Sequence, residues 1–166
     1  MFKSADINSY SNVFGEIGER WMLLTVKAGN RVNAMTASWG GLGIMWGLPA
    51  AFVFIRPQRY THELLKYTDK FTASFYPEEM RKVLNHCGTV SGRDSDKIAE
   101  TGLTPVHGEN GFVYFEQAEQ VLCLKKLYVQ RMNVTCATDS EIFDKHYPNN
   151  DYHYMYVAKI EEYLTK

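Results

Sequence analysis

Two arginines at the end of an apolar run are the first residues that could do chemistry. In Ile55-Arg56-Pro57-Gln58-Arg59-Tyr60-Thr61 the run Ala51–Ile55 stops at Arg56. Pro57 keeps Arg56 extended, and Thr61 can cap a helix running through Tyr67. Guanidinium forks beside the free amides of a helix start suit an anion; the same arginines could also simply be solvated at a strand end. A second basic group follows in Cys87-Gly88-Thr89-Val90-Ser91-Gly92-Arg93-Asp94-Ser95-Asp96-Lys97. Its glycines and serines permit a nest of amides, and Arg93 and Lys97 add positive charge at another helix start. The third stretch, NAMTASWGG (Asn33–Gly41), alternates so that Ala34, Thr36, Ser38 and Gly40 share one face, with Met35, Ala37 and Trp39 on the other. That small, hydroxyl-bearing face suits a ligand lying close to the backbone, or a half-exposed strand with a glycine bulge.

Other chemistries fit poorly. Asp94 and Asp96 read as helix-capping residues, and His86-Cys87 has no second pair at ligand spacing, so no metal site is assigned. No G-x-S-x-G elbow is present, which argues against a Ser–His–Asp hydrolase. Gly41-Leu42-Gly43-Ile44-Met45-Trp46-Gly47 imitates a dinucleotide fingerprint, but its spacing is one residue too long. An apolar run follows it, and Tyr67 stands where an acid is needed.

The elements that must carry these residues are mostly strands. Short apolar runs separated by turn signals give Trp21–Lys27, Val32–Trp39 after the Gly29-Asn30 turn, Ala51–Ile55, Phe71–Tyr76, Phe112–Glu116, Gln120–Met132 and Tyr152–Leu164. The continuous runs Ala51–Ile55 and Phe71–Tyr76 predict strands buried on both faces. Pro77 opens a helix with Met80, Val83, Leu84 and Cys87 on one stripe and Gly88 as its stop. Shorter helices are expected at Ser95–Glu100, closed by Gly102, and at Ser140–His146, ahead of Pro148. About seven strands with a few short helices is a mainly β architecture, and closing such a sheet removes its exposed edges.

With 166 residues, the chain is long enough for one domain with a sizeable core. The net charge of −1 gives no general attraction to nucleic acid or an anionic membrane surface, so any anion needs a local cluster. Cys87, Cys123 and Cys136 show no CxxC spacing and read as reduced core thiols. The N-terminus lacks a signal-peptide core and no run reaches the length of a membrane span, so a cytoplasmic location and no membrane partner are expected.

NAMTASWGG, RPQRYTHELL, FTASFYPEEMRKVLNHCGTVSGRDSDK and TGLTP together resemble, in order and spacing, the flavin reductase-like, flavoredoxin-type family of FMN-binding split barrels. The likeness runs over roughly residues 20–105 and more loosely to the C-terminus. It implies a mainly β fold over residues 1–166: a Greek-key split barrel of about six strands, peripheral helices, a homodimer and non-covalent FMN. By that resemblance Met35, Thr36, Ala37, Ser38 and Trp39 line the isoalloxazine. Arg56, Arg59, Tyr60 and Thr61 meet the ribityl and phosphate side, with Ser91, Gly92, Arg93 and Lys97. Relatives often carry Pro-Pro where this chain has Pro49-Ala50, and Gly-Glu where Ala158-Lys159 follows Tyr156-Val157. The implied activity is transfer of electrons from a nicotinamide, NAD(P)H, or another donor through FMN to an acceptor. The alternative is an FMN-binding electron carrier that is not an enzyme. Flavin chemistry needs little acid–base help from the protein, so no catalytic side chain is assigned.

Overall fold

The chain Met22–Ala28 buries both of its faces, and that sets the architecture. Met22, Leu24 and Val26 enter one apolar cluster with Met35, Val53, Ile55, Phe71 and Leu124, while Leu23 enters another with Ala34, Leu84, Cys87 and Phe115. A strand can serve two cores only if its sheet has a filled concave side and a covered convex side.

The structure, a computed structural model, describes residues 1–166. In chain order the elements are β1 (Lys3–Ala5), β2 (Met22–Ala28), β3 (Arg31–Ala37), β4 (Gly40–Met45), β5 (Leu48–Ile55), α1 (Tyr60–Leu64), β6 (Lys70–Phe75), α2 (Arg81–Thr89), α3 (Lys97–Thr101), β7 (Pro105–His107), β8 (Val113–Phe115), β9 (Gln120–Arg131), α4 (Ser140–His146) and β10 (Tyr154–Thr165). One antiparallel sheet runs β3-β2-β6-β9-β10-β5-β4, with β1 added on β10, and β7–β8 form a separate hairpin.

β3 and β4 stand at opposite ends of that sheet, yet only Ser38 and Trp39 join them. Six strand spacings of about 4.8 Å would separate them by about 29 Å in a flat sheet. The Cα steps from Ala37 to Gly40 reach only about 10 Å. The sheet must therefore curl until its ends meet. β3 touches β5 without sharing a ladder with it, so the barrel is split along that seam. Gly40 makes the return possible: a Cβ there would stand 2.6 Å from the Phe52 carbonyl oxygen. NAMTASWGG is thus the strap that crosses the seam.

Most of the expected elements form, with shifts that have physical causes. The run Phe71–Tyr76 is buried on both faces. Ala51–Ile55 is not, because Phe52 and Phe54 lie on the face opposite the core residues Ala51, Val53 and Ile55 and are only half-buried there. Gly88 does not stop α2; it sits inside the last turn, where its missing side chain lets the helix approach Thr36 on β3. Gly41–Gly47 belongs to the β4–β5 hairpin, whose Trp46-Gly47 turn has positive φ at both residues. Cys87 and Cys123 are buried and Cys136 is exposed, which departs from three core thiols. No helix is long and apolar enough to cross a membrane.

Candidate functional site

The seam opens into two adjoining clefts that share Met35 and Arg59. The first, about 280 Å³, is lined by Met35, Thr36, Ala37, Ser38 and Trp39 from the strap, Phe54 and Arg56 from the end of β5, Arg59, Gly88 of α2, and His153. The second, about 170 Å³, lies between the start of α1 and the loop after α2. Its walls include Asn33, Arg59, Tyr60, Thr61, Ser91, Gly92 and Lys97. All but one of the site residues expected from sequence therefore converge on two joined cavities. Arg93 is the exception: it faces an adjoining groove with Arg31 and Asp94, which shares Asn33, Tyr60, Gly92 and Lys97 with the second cleft.

The two strap hydroxyls have different fates. Thr36 Oγ1 donates to the Leu84 carbonyl at 2.5 Å, which pins α2 against β3. Ser38, half-buried in the wall of the first cleft, is the hydroxyl left for a ligand. Thr61 does not cap α1, because the residue at the cap position is Arg59; its hydroxyl accepts from Asn33 Nδ2 at 2.8 Å. Asn33 also fixes the loop beyond α2, since a Cβ on Gly92 would overlap Asn33 Oδ1. A larger residue there would have to push the Asn33 amide aside.

Charge accounting separates the four cations. Arg56 is paired with Asp151 at 2.5 Å and donates to the His146 carbonyl, and Arg93 is paired with Glu63 at 2.8 Å. Those two are largely neutralised. Arg59 and Lys97 have no carboxylate partner. Arg59 donates to the carbonyls of Gly88 at 2.7 Å and Cys87 at 3.4 Å, and Lys97 Nζ to those of Cys87 at 3.1 Å and Val90 at 3.0 Å. These carbonyls end α2, where positive charge is favoured by the helix dipole. α1 has only five residues, so the positive potential here comes from side chains more than from a helix start.

Burial leaves its mark on both groups. Lys97 is only 3% exposed, and desolvation brings its ammonium down to about 8 from the usual lysine range. Desolvation also lowers Arg59, and burial raises the Cys87 thiol, keeping it neutral beside them. The second cleft thus holds two desolvated cations with no acid against them. That is an arrangement short of an anion.

Several lining residues escaped the sequence reading. Asn33 opens the strap motif, and its burial is the signal that would have marked it. Phe54 stands in an apolar run whose pattern predicts burial on both faces. His153 had no local signal: it reaches the first cleft from the start of β10, over a hundred residues after the strap. Asp96 accepts from the Ala99 amide at 3.1 Å and so caps α3, as expected.

Comparison with known proteins agrees with the fold. A family model described as "Flavin reductase like domain" matches residues 14–159. The fold is similar to an FMN-binding protein from Thermus thermophilus with bound p-hydroxybenzaldehyde: TM-score 0.70 at 23% identity, covering 98% of this chain and 76% of that one. It is also similar to flavoredoxin from Methanosarcina acetivorans, at TM-score 0.72, 18% identity and coverages of 99% and 76%. A third similar structure is the NADH:FAD oxidoreductase SgcE6 of Streptomyces globisporus C-1027, at 0.66, 15%, 92% and 84%. No curated protein matches the sequence.

Proposed function

The chain belongs to the flavin reductase-like family, and from that premise we propose that it is an FMN-binding oxidoreductase that takes electrons from NAD(P)H and passes them to an acceptor. The observation that carries the cofactor reading is the acid-free pair Arg59 and Lys97, set beside a cleft walled by small strap residues. The residues fit FMN. A phosphate monoester carries about −1.5 to −2 charge at neutral pH, and two desolvated cations match it.

When bound, FMN supplies the hydride and electron chemistry, and the chain supplies position and environment. Arg59 and Lys97 hold the phosphate, with Thr61, Ser91 and the Gly92 turn as neutral partners. Met35–Trp39 line the ring, and Ser38 and the strap backbone meet its polar edge. Arg56, already bound by Asp151, braces the wall of the first cleft from behind. Arg93 braces the loop through Glu63 and the Gln58 carbonyl, and its guanidinium lies over the Tyr60 ring.

We also assign a homodimer. Ile44, Trp46, Leu48, Leu127, Tyr128 and Val129 are exposed apolar residues, and Trp46 meets Tyr128 edge-on at 6.4 Å. Exposed apolar residues gathered on the β4–β5 turn and β9 in this way suit coverage by a second copy. We also propose a cytoplasmic location, where a nicotinamide donor is at hand.

The test is to purify the protein, record its visible spectrum, and add NADH or NADPH without oxygen. Loss of flavin absorbance with either donor supports the reductase. A yellow protein reduced by dithionite but by neither nicotinamide is the non-enzymatic electron carrier. A chain that takes up no FMN refutes both.

A further inference from the structure

The tip of the β4–β5 hairpin holds a residue out of keeping with its backbone. Trp46 and Gly47 turn the chain with φ of 52° and 71°, a turn that ordinarily takes asparagine, aspartate or glycine. A bulky side chain at positive φ costs free energy, and such strain persists where the residue serves another end. Inside its own chain Trp46 gains little in return. It is 58% exposed, and the ring it meets is Tyr128, edge-on at 6.4 Å. With Ile44 and Leu48 beside it, also exposed, it makes an apolar knob.

A socket lies on the same outer face. Val53 and Ile55 point into the core, so Phe54 between them points out. Phe54, Met155 and Gln130 form one row across β5, β10 and β9. With Met132, and with Ile142 and Phe143 of α4, they enclose a cavity of about 540 Å³. A cavity of that size can bury a whole small molecule, so an aromatic side chain has room. Its two methionines adapt to the shape they receive. Tyr128 ties the two features together: its hydroxyl donates to Gln130 Oε1 at 2.6 Å, at the socket's edge. Knob, Tyr128 and socket thus follow one another along a single surface.

We propose that this face is the two-fold interface of the homodimer, with the partner's Trp46 seated in the socket of Phe54, Met155 and α4 and the same contact repeated across the axis. The proposal rests on the homodimer reading above, not on the flavin, and adds which surfaces meet. A surface that carries both a knob and a matching socket is self-complementary under a two-fold rotation, whereas an unrelated partner would need only one of them. Tyr128, between the two, lies nearest the axis. The polar demand is met as well. A buried indole N–H seeks an acceptor, and Asp139 in the socket wall accepts from the Ile142 amide with Oδ1, leaving Oδ2 open. Phe54 also lines the first cleft, so the partner's Trp46 backs the wall of that cleft without entering it.

Sedimentation of the full chain measures the dimer dissociation constant. Trp46→Ala removes both knobs and should weaken the dimer by about a hundredfold or more. Ala137→Phe fills the socket and should weaken it similarly. Each variant keeps what the other lacks, so an equimolar mixture should form a heterodimer with one knob seated, about tenfold or more tighter than either homodimer. A second readout leaves Trp46 in place. Leu48→Cys puts a thiol beside the knob, and Cys136 is an exposed native thiol in the socket wall, while Cys87 and Cys123 are buried. A short bismaleimide should join the two thiols across the interface, giving a species of twice the chain mass that Cys136→Ser abolishes. A dimeric protein without that link, a link within one chain, a link that survives Cys136→Ser, or a mixture no tighter than its folded components overturns the proposal and leaves the homodimer standing. A monomeric wild type overturns both.

Discussion

Replacing Lys97 with methionine keeps the length of the side chain and removes one of the two cations that have no acid partner. A charge-assisted hydrogen bond to a phosphate contributes about 1.5–3 kcal/mol, so Lys97→Met should weaken FMN binding about 10- to 150-fold. Riboflavin, which lacks the phosphate, should lose little. The dependence on pH is the sharper mark. Lys97 titrates near 8 in the unloaded fold, so wild-type FMN affinity should fall by about tenfold per unit above pH 8. Below about pH 6 the phosphate gains a proton and affinity falls again. Lys97→Met should keep the acid limb and lose the alkaline one. Stability of the unloaded protein gives an independent check. The unfolded chain holds this proton up to its ordinary lysine pKa of 10.5, whereas the fold sheds it near 8. The unfolded state therefore binds more protons between these values, and stability should rise across that window by about 3 kcal/mol. The difference between wild type and Lys97→Met, from urea unfolding at pH 8 and pH 10.5, isolates that contribution. FMN affinity within twofold of wild type, or an unchanged alkaline limb, would refute the charge accounting of the second cleft.

Arg59→Ala should weaken FMN by about tenfold or more, measured by fluorescence quenching, and should also lower the melting temperature because the carbonyls ending α2 lose their donor. Gly92→Ala forces Asn33 off Thr61 and should cost about 1–3 kcal/mol of stability together with FMN affinity; a variant with wild-type unfolding would show that this loop yields freely. Trp46→Glu buries a charge in any assembly that covers the β4–β5 turn, and sedimentation should then show a monomer where wild type is a dimer. Acid should destabilise the unloaded protein as pH falls from 6.5 towards 4, because the unfolded chain protonates His153 first. His153→Gln should flatten that slope in denaturant unfolding followed against pH.

Local pattern carried the strands and hid their surroundings. Gly29-Asn30 and the run after it mark the β2–β3 hairpin because a two-residue turn is written in adjacent residues. β5 reads as fully apolar because Phe52 and Phe54 cover the outside of the barrel, and an apolar run cannot say which of its faces is packed. The arginines and Lys97 announced an anion by their chemistry. Which of them were already neutralised depended on Asp151 and Glu63, which approach from other elements. Thr61 had the composition of a cap, but its hydroxyl serves Asn33 across the seam. His153 and Tyr147 reach the cleft only because the segment after β9 folds back over Arg56, a contact with no trace in nearby sequence.

A calorimetric titration of FMN and, separately, riboflavin into the flavin-free protein at pH 7 bears most directly on the seam as a flavin phosphate site. One FMN per chain should bind, at least a hundredfold more tightly than riboflavin. Equal affinity for the two, or no uptake of FMN, would contradict it.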